Sequence, residues 1–192
     1  MNPSVRRWSL AAGAALLLVV IALVLVRGSG FTSRRSPWPL EERFALAARS
    51  FLVPPESKAM ENPLPPDPEV IRAGLEHFAD HCATCHANDG SGDTQMGGAL
   101  FPPAPDMRGG RTQALTDGEL FYVIEFGVPF TGMPAWGTGT ESGEHLSWEL
   151  VSFIRHLPDL TPEELEDMEA LNPRSPAQDE VDRGIRDFLE GR

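Results

Sequence analysis

The longest apolar stretch in the chain is residues 10–26, a run of 17 residues without a charge. Trp8 and Ser9 extend it to about 19, near the minimum needed to span a bilayer. Arg6 and Arg7 in front of it resemble the basic start of a secretory signal. Such a signal has an apolar core of about 7–15 residues and ends in an Ala-x-Ala-like site. Here the run is longer and is followed by Arg27-Gly28-Ser29-Gly30, which predicts an uncleaved transmembrane anchor over 10–26 behind a short segment 1–9. Basic residues flank both ends, so the excess of positive charge on one side does not orient it.

Residues 27–66 have the pattern of a tether holding one short helix. Pro39 suits a helix start, and Leu40, Phe44, Ala47 and Phe51 repeat at helical spacing up to Leu52. Val53-Pro54-Pro55 ends it, and the proline-rich run to Pro66 is extended by composition. The two phenylalanines on that stripe predict that the helix packs on the neighbouring domain. Helical periodicity returns at 67–158. Asp67 can cap a helix that Pro68 begins, and Val70, Ile71, Gly74, Leu75 and Phe78 form its apolar face. Residues 87–114 carry few helix signals and predict a long loop, of the kind that wraps a ligand. Thr116-Asp117-Gly118-Glu119 has the capping-box form, and the helix it opens should stop at Gly127-Val128-Pro129. Trp148, Val151, Phe153, Ile154 and Leu157 mark a last domain helix from about 147 to 156. The tail, 159–192, predicts two more helices. One starts at Thr161-Pro162-Glu163-Glu164; the other carries Val181, Ile185, Phe188 and Leu189 on one side. The pattern is all-α.

Composition changes this picture little. The 192 residues leave room for one domain of roughly 100 residues beside the extensions, and 18 prolines with 18 glycines fit long irregular loops. Charge changes it more. Residues 1–58 carry eight basic residues against three acids, a net +5, whereas 59–192 carry eight against 25, a net −17. So acidic a body argues against nucleic acid and favours partners with a basic docking surface.

Both cysteines of the chain lie in His81-Cys82-Ala83-Thr84-Cys85-His86. C-x-x-C-H is the pattern of c-type haem attachment. One helical turn places both thiols to add to the two vinyl groups of a single porphyrin, with His86 beneath the iron as proximal ligand. A redox-active Cys82–Cys85 disulfide needs no following histidine. A structural zinc site needs two more ligands, and His77, His145 and His156 lack paired spacing for it. A distal ligand must reach the far side of the ring, which requires a long intervening segment. Met96 is ten residues past His86, and Met107 has no element to support it. Met133 is 47 residues on, follows a helix, and stands between Gly132 and Pro134. Met133 is therefore the distal candidate; Met107, Met96, or a second histidine (His145 or His156) are the alternatives. A thioether raises the potential and fills the sixth position, which suits outer-sphere electron transfer. Trp136, Tyr122 and Phe121 are candidates for the pocket wall or for core.

Gly74-x-x-x-Phe78-x-x-x-Cys82-x-x-Cys85-His86 resembles the N-terminal helix of class I (mono-haem) c-type cytochromes. Thr131-Gly132-Met133-Pro134-Ala135-Trp136 is similar to their distal-ligand loop, especially in membrane-anchored cytochrome c subunits associated with haem–copper oxidases and dehydrogenases. The resemblance covers residues 68–158. It implies the class I cytochrome c fold, in which N- and C-terminal helices cross around one haem c attached through Cys82 and Cys85, with His86 and Met133 on the iron. It also implies that Gly74 lets the last helix cross closely, and that a loop carbonyl, of Pro102 or Pro103, accepts a hydrogen bond from the His86 ring. Because c-type cytochromes mature outside the cytoplasmic membrane, the haem domain should face the periplasm or cell exterior, held by one transmembrane helix. The implied work is electron transfer between redox partner proteins rather than catalysis. A non-catalytic subunit of a larger dehydrogenase or oxidase complex is the first alternative, and a haem-based sensor the second.

Overall fold

The computed structural model describes residues 3–29, 32–33, 35–174 and 176–191. Residues 1–2 of the N-terminal segment, Gly30, Phe31 and Arg34 of the tether, Ser175 between the tail helices and Arg192 lie outside these. The chain forms two compact units, 1–35 and 36–192, and among the described residues there is no β-strand.

The first unit is one helix, α1 (Pro3–Ser29). Its stretch Leu10–Gly28 is 19 residues long, apolar but for Arg27, with no side chain buried. By length and composition it can cross a membrane.

The second unit opens with α2 (Pro39–Leu52), whose bounds match the helix expected from its periodicity. Its orientation does not match. Leu40, Phe44, Phe51 and Leu52 are 78, 75, 87 and 70% exposed, so the apolar stripe points away from the domain. The opposite side holds the contact, through the Glu42–Arg111 ion pair and the bond from Lys58 to the Ser50 carbonyl. A short turn, α3 (Pro55–Lys58), then abuts the next domain helix so closely that a Cβ on Gly118 would lie 1.8 Å from the Ser57 carbonyl oxygen. Asn62 donates to the Trp148 carbonyl and the Ser152 hydroxyl at 3.1 and 2.9 Å, fastening the tether to the domain.

α4 (Pro68–His77) begins as expected, with the Asp67 carboxylate accepting from the Glu69 amide at 2.8 Å. It continues through a π-helical turn, Phe78–Cys82, into α5 (Ala83–His86). In a straight α-helix Gly74, Phe78 and Cys82 would share one face. The wider turn inserts about 100° of rotation, so Phe78 stays in the core while Cys82 turns partly out of it. The loop behind the motif holds two short helices, α6 (Gln95–Ala99) and α7 (Gly110–Gln113). Then α8 (Asp117–Phe126) follows with its capping box in place and Gly127 at φ +67° behind it.

The last domain helix, α9 (Glu141–His156), starts about a turn and a half earlier than its apolar residues suggest. Thr140 caps it, accepting from the Gly143 amide at 3.2 Å, and this polar first turn carries no hydrophobic signal. α9 crosses α4 at Gly74, where a Cβ would lie 2.2 Å from the Glu149 carbonyl oxygen. The Phe78 and Phe153 rings meet beside the crossing with centroids 5.1 Å apart. Leu75, Phe78, Leu150, Val151, Phe153 and Leu157 fill the core. In the tail, α10 (Pro162–Leu171) seats a fully buried Met168. α11 (Pro176–Leu189) forms as expected but leaves Val181, Ile185, Phe188 and Leu189 exposed.

Candidate haem site

The π-turn presents Cys82 and α5 presents Cys85 and His86, each half-buried. The two sulfurs are not joined. Burial, and then the neighbouring Cys85, push the Cys82 thiol up to about 12. A redox-active C-x-x-C pair requires the opposite, a lowered thiol. Burial also holds the His86 ring below its ordinary value, which keeps the imidazole neutral, the form that binds a metal. Its Nδ1 is buried with no hydrogen-bond partner. The expected bond to a carbonyl of Pro102 or Pro103 is therefore not made, because the loop instead turns its polar contacts onto the motif's backbone. Thr94 Oγ1 donates to the Thr84 carbonyl at 2.9 Å and caps Gly97, and a Cβ on Gly97 would strike the Cys85 carbonyl oxygen at 2.2 Å.

The segment carrying Met133 is tied down at both ends. The Val128 amide donates to the Met133 carbonyl at 3.1 Å, and the Met133 amide donates to Thr131 Oγ1 at 3.1 Å. Past it, the Trp136 and Gly137 amides donate to the Ile124 and Glu125 carbonyls of α8 at 3.0 and 3.1 Å. Ser147 Oγ of α9 donates to the buried Glu125 carboxylate at 2.5 Å, so α8 and α9 hold the loop jointly. Two contacts bring this loop to the motif. Leu100, just past the helix that packs on Cys85, fills the space a Cβ on Gly132 would need, at 2.6 Å. On the other side the Trp136 ring meets His81 edge-on at 5.5 Å.

The other candidate ligands are placed differently. Met96 is 52% exposed, and Met107 is buried in the core cluster. His156 Nε2 bonds Glu164 at 2.9 Å, and His145 sits beside Glu149 on the surface. Phe121 belongs to the core, stacked on Trp148 at 4.2 Å, while Tyr122 packs on Phe126. Among the described residues no three His, Cys, Asp or Glu side chains converge as a metal site. Leu100 and the Glu125–Ser147 pair escaped the sequence reading. Only the glycine beside Met133 hinted at the first, and an acid within the apolar run Leu120–Phe126 at the second.

A neutral imidazole directly after two unpaired thiols that lie one helical turn apart fits haem c. Comparison with known proteins agrees. Residues 69–154 match the family described as "Cytochrome C oxidase, cbb3-type, subunit III". The cbb3-type cytochrome c oxidase subunit FixP of Rhizobium meliloti (strain 1021) is 33% identical over 73 residues, 38% of this chain and 23% of that protein. FixP of Sinorhizobium medicae (strain WSM419) is 31% identical over 94 residues, 48% of this chain and 29% of that protein. FixPc of Rhizobium leguminosarum bv. viciae is 33% identical over 94 residues, covering 48% and 30%. The chain thus spans less than a third of the length of these relatives. Residues 69–154, which carry Cys82, Cys85 and His86, are accordingly a cytochrome c domain, similar to that of cbb3-type cytochrome c oxidase subunit III.

Proposed function

We propose that this protein is a membrane-anchored electron-transfer cytochrome, the electron-carrying subunit of a cbb3-type oxidase or a close counterpart. Residues 10–26 hold it in the cytoplasmic membrane, with the domain on the periplasmic side. In this reading Cys82 and Cys85 fix one haem c through thioether bonds, His86 is its proximal ligand and Met133 its distal one. The haem, when bound, supplies one-electron exchange at iron.

What the chain does is hold the two ligands and keep water out. The π-turn aims the cysteines, α6 braces the motif's backbone, and α8 with α9 fixes the loop that carries Met133. Phe78, 6.4 Å from the His86 ring, shields its inner side. The observation that carries the ligand assignment is the pair of contacts Leu100–Gly132 and His81–Trp136, which hold the Met133 loop to the motif on two sides. Similarity to FixP supports the oxidase as partner, together with the acidic body, which suits a basic docking surface.

The test is the absorption spectrum of the ferric holoprotein beside Met133→Ala, with Met107→Ala and Met96→Ala for comparison. The iron–sulfur charge-transfer band should vanish in Met133→Ala alone. Its persistence there, or its loss in either comparison variant, overturns the assignment.

A further inference from the structure

The outward stripe of α2 has no occupant within the domain. Leu40, Phe44 and Phe51 stand on one side of the helix, 78, 75 and 87% exposed, with Leu52 beside them. Trp38, at the helix start, is itself 51% exposed. The face turned to the domain is the less apolar one, held by Glu42 to Arg111. A helix about 21 Å long that shows its greasiest side to solvent is turned the wrong way for a free globular domain.

Its place in the chain says what covers it. Nine residues, 30–38, separate the end of α1 from the start of α2, a reach of about 35 Å at full extension. The segment around it is also the basic part of the molecule. Residues 27–58 hold six basic residues against three acids, whereas the rest of the body is strongly acidic. Arg43 is exposed on α2 itself. Phenylalanine and leucine on one side, arginine at the margin and tryptophan at the end make up the composition of a helix lying in a bilayer interface. Anionic headgroups attract such a basic segment, and repel the acidic remainder.

We infer that α2 lies along the surface of the membrane that α1 spans, with Leu40, Phe44 and Phe51 in the headgroup–acyl boundary. This rests on the anchor reading of residues 10–26. α2 then serves as a second, in-plane attachment that fixes which side of the domain faces the lipid, because Glu42 and Lys58 lock it to the domain. A partner subunit or α11, with its own exposed Val181, Ile185, Phe188 and Leu189, would cover the same stripe by protein contact instead.

Spin labels on the full-length holoprotein separate these. Phe44→Cys and Phe51→Cys replace exposed side chains, so the fold and haem loading are retained. Leu18→Cys reports on the anchor, and Glu141→Cys is the aqueous control. In vesicles of phosphatidylcholine and phosphatidylglycerol, collision with oxygen relative to a water-soluble nickel chelate should be several-fold higher at 44 and 51 than at 141. A ratio at 44 and 51 equal to that at 141, or low collision with both relaxants as in a protein interface, overturns the inference. Position 18 scores the anchor separately: if it is lipid-like while 44 and 51 are not, the anchor stands and the α2 assignment falls.

Discussion

At the scale of single residues, the helix crossing rests on Gly74. A methyl group there would lie 2.2 Å from the Glu149 carbonyl oxygen and 2.9 Å from Phe153 Cβ. Both obstacles are backbone or branch-point atoms, which a rotamer change cannot move aside. Gly74→Ala must therefore push α9 away from α4 and loosen the Phe78–Phe153 contact. Overpacking of this kind costs about 2 kcal/mol, a fall of about 10 °C in Tm for a domain of this size. Thermal unfolding of the holoprotein followed by circular dichroism measures it; an unchanged Tm would remove the crossing from the account of stability. Gly118→Ala meets the Ser57 carbonyl instead and loosens the tether rather than the crossing. The glycine spacing before the motif was readable in the sequence because a close crossing leaves no room for a Cβ. The orientation of Cys82 was not, since the π-turn that sets it leaves no mark in hydrophobic spacing.

At the scale of elements, helix identity followed from local signals and helix partners did not. The capping boxes at Thr116 and Thr161 and the proline starts at Pro39, Pro68 and Pro162 all hold, because each depends on neighbours within one turn. The start of α9 was misplaced, since Thr140 begins a turn with no apolar residue facing the core. The facing of α2 also differs from the expectation, because periodicity locates a stripe without naming its solvent. α10 shows how a tail element is held by a few groups. Partial burial pushes the Glu164 carboxyl upward, but bonds from the Thr161 amide and from His156 outweigh it and leave Glu164 below its ordinary value. A carboxylate lowered by folding stabilises the folded state above its unfolded value, and that contribution fades as pH falls through the folded one. α10 should thus loosen below about pH 4.3. Hydrogen exchange over Pro162–Leu171, corrected for intrinsic rates, should accelerate there in the native chain and change less with pH in Glu164→Gln. Equal pH dependence in the two would assign the hold on α10 to Met168 and the Arg72–Asp167 pair instead.

At the scale of the whole molecule, charge is divided unevenly along the chain. The net −17 of residues 59–192 opposes the +5 of residues 1–58, so the cytochrome c domain and tail are negative while the stretch that holds the apolar helix and α2 is positive. Most acidic groups are on the surface, and the local arginines spend their charge within the chain: Arg72 on Glu76 and Asp167, Arg108 on Asp89 and Asp106, Arg155 on Asp117. These pairs neutralise neighbours without changing the sign of the body. The field that remains should speed encounter with cationic partners and slow it with anionic ones, and salt should weaken both effects. Small redox reagents isolate this term, because they lack a docking surface. Reduction of the ferric holoprotein by a hexaammineruthenium(II) cation should slow as ionic strength rises. Reduction by the ferrocyanide anion should quicken over the same range, and the two rates should converge once the screening length falls to a few ångströms. If both rates ran parallel with salt, the charge near the haem edge would be neutral whatever the total. The acidic body would then be a matter of solubility, and the proposed docking to an oxidase would have to rest on shape and apolar contact.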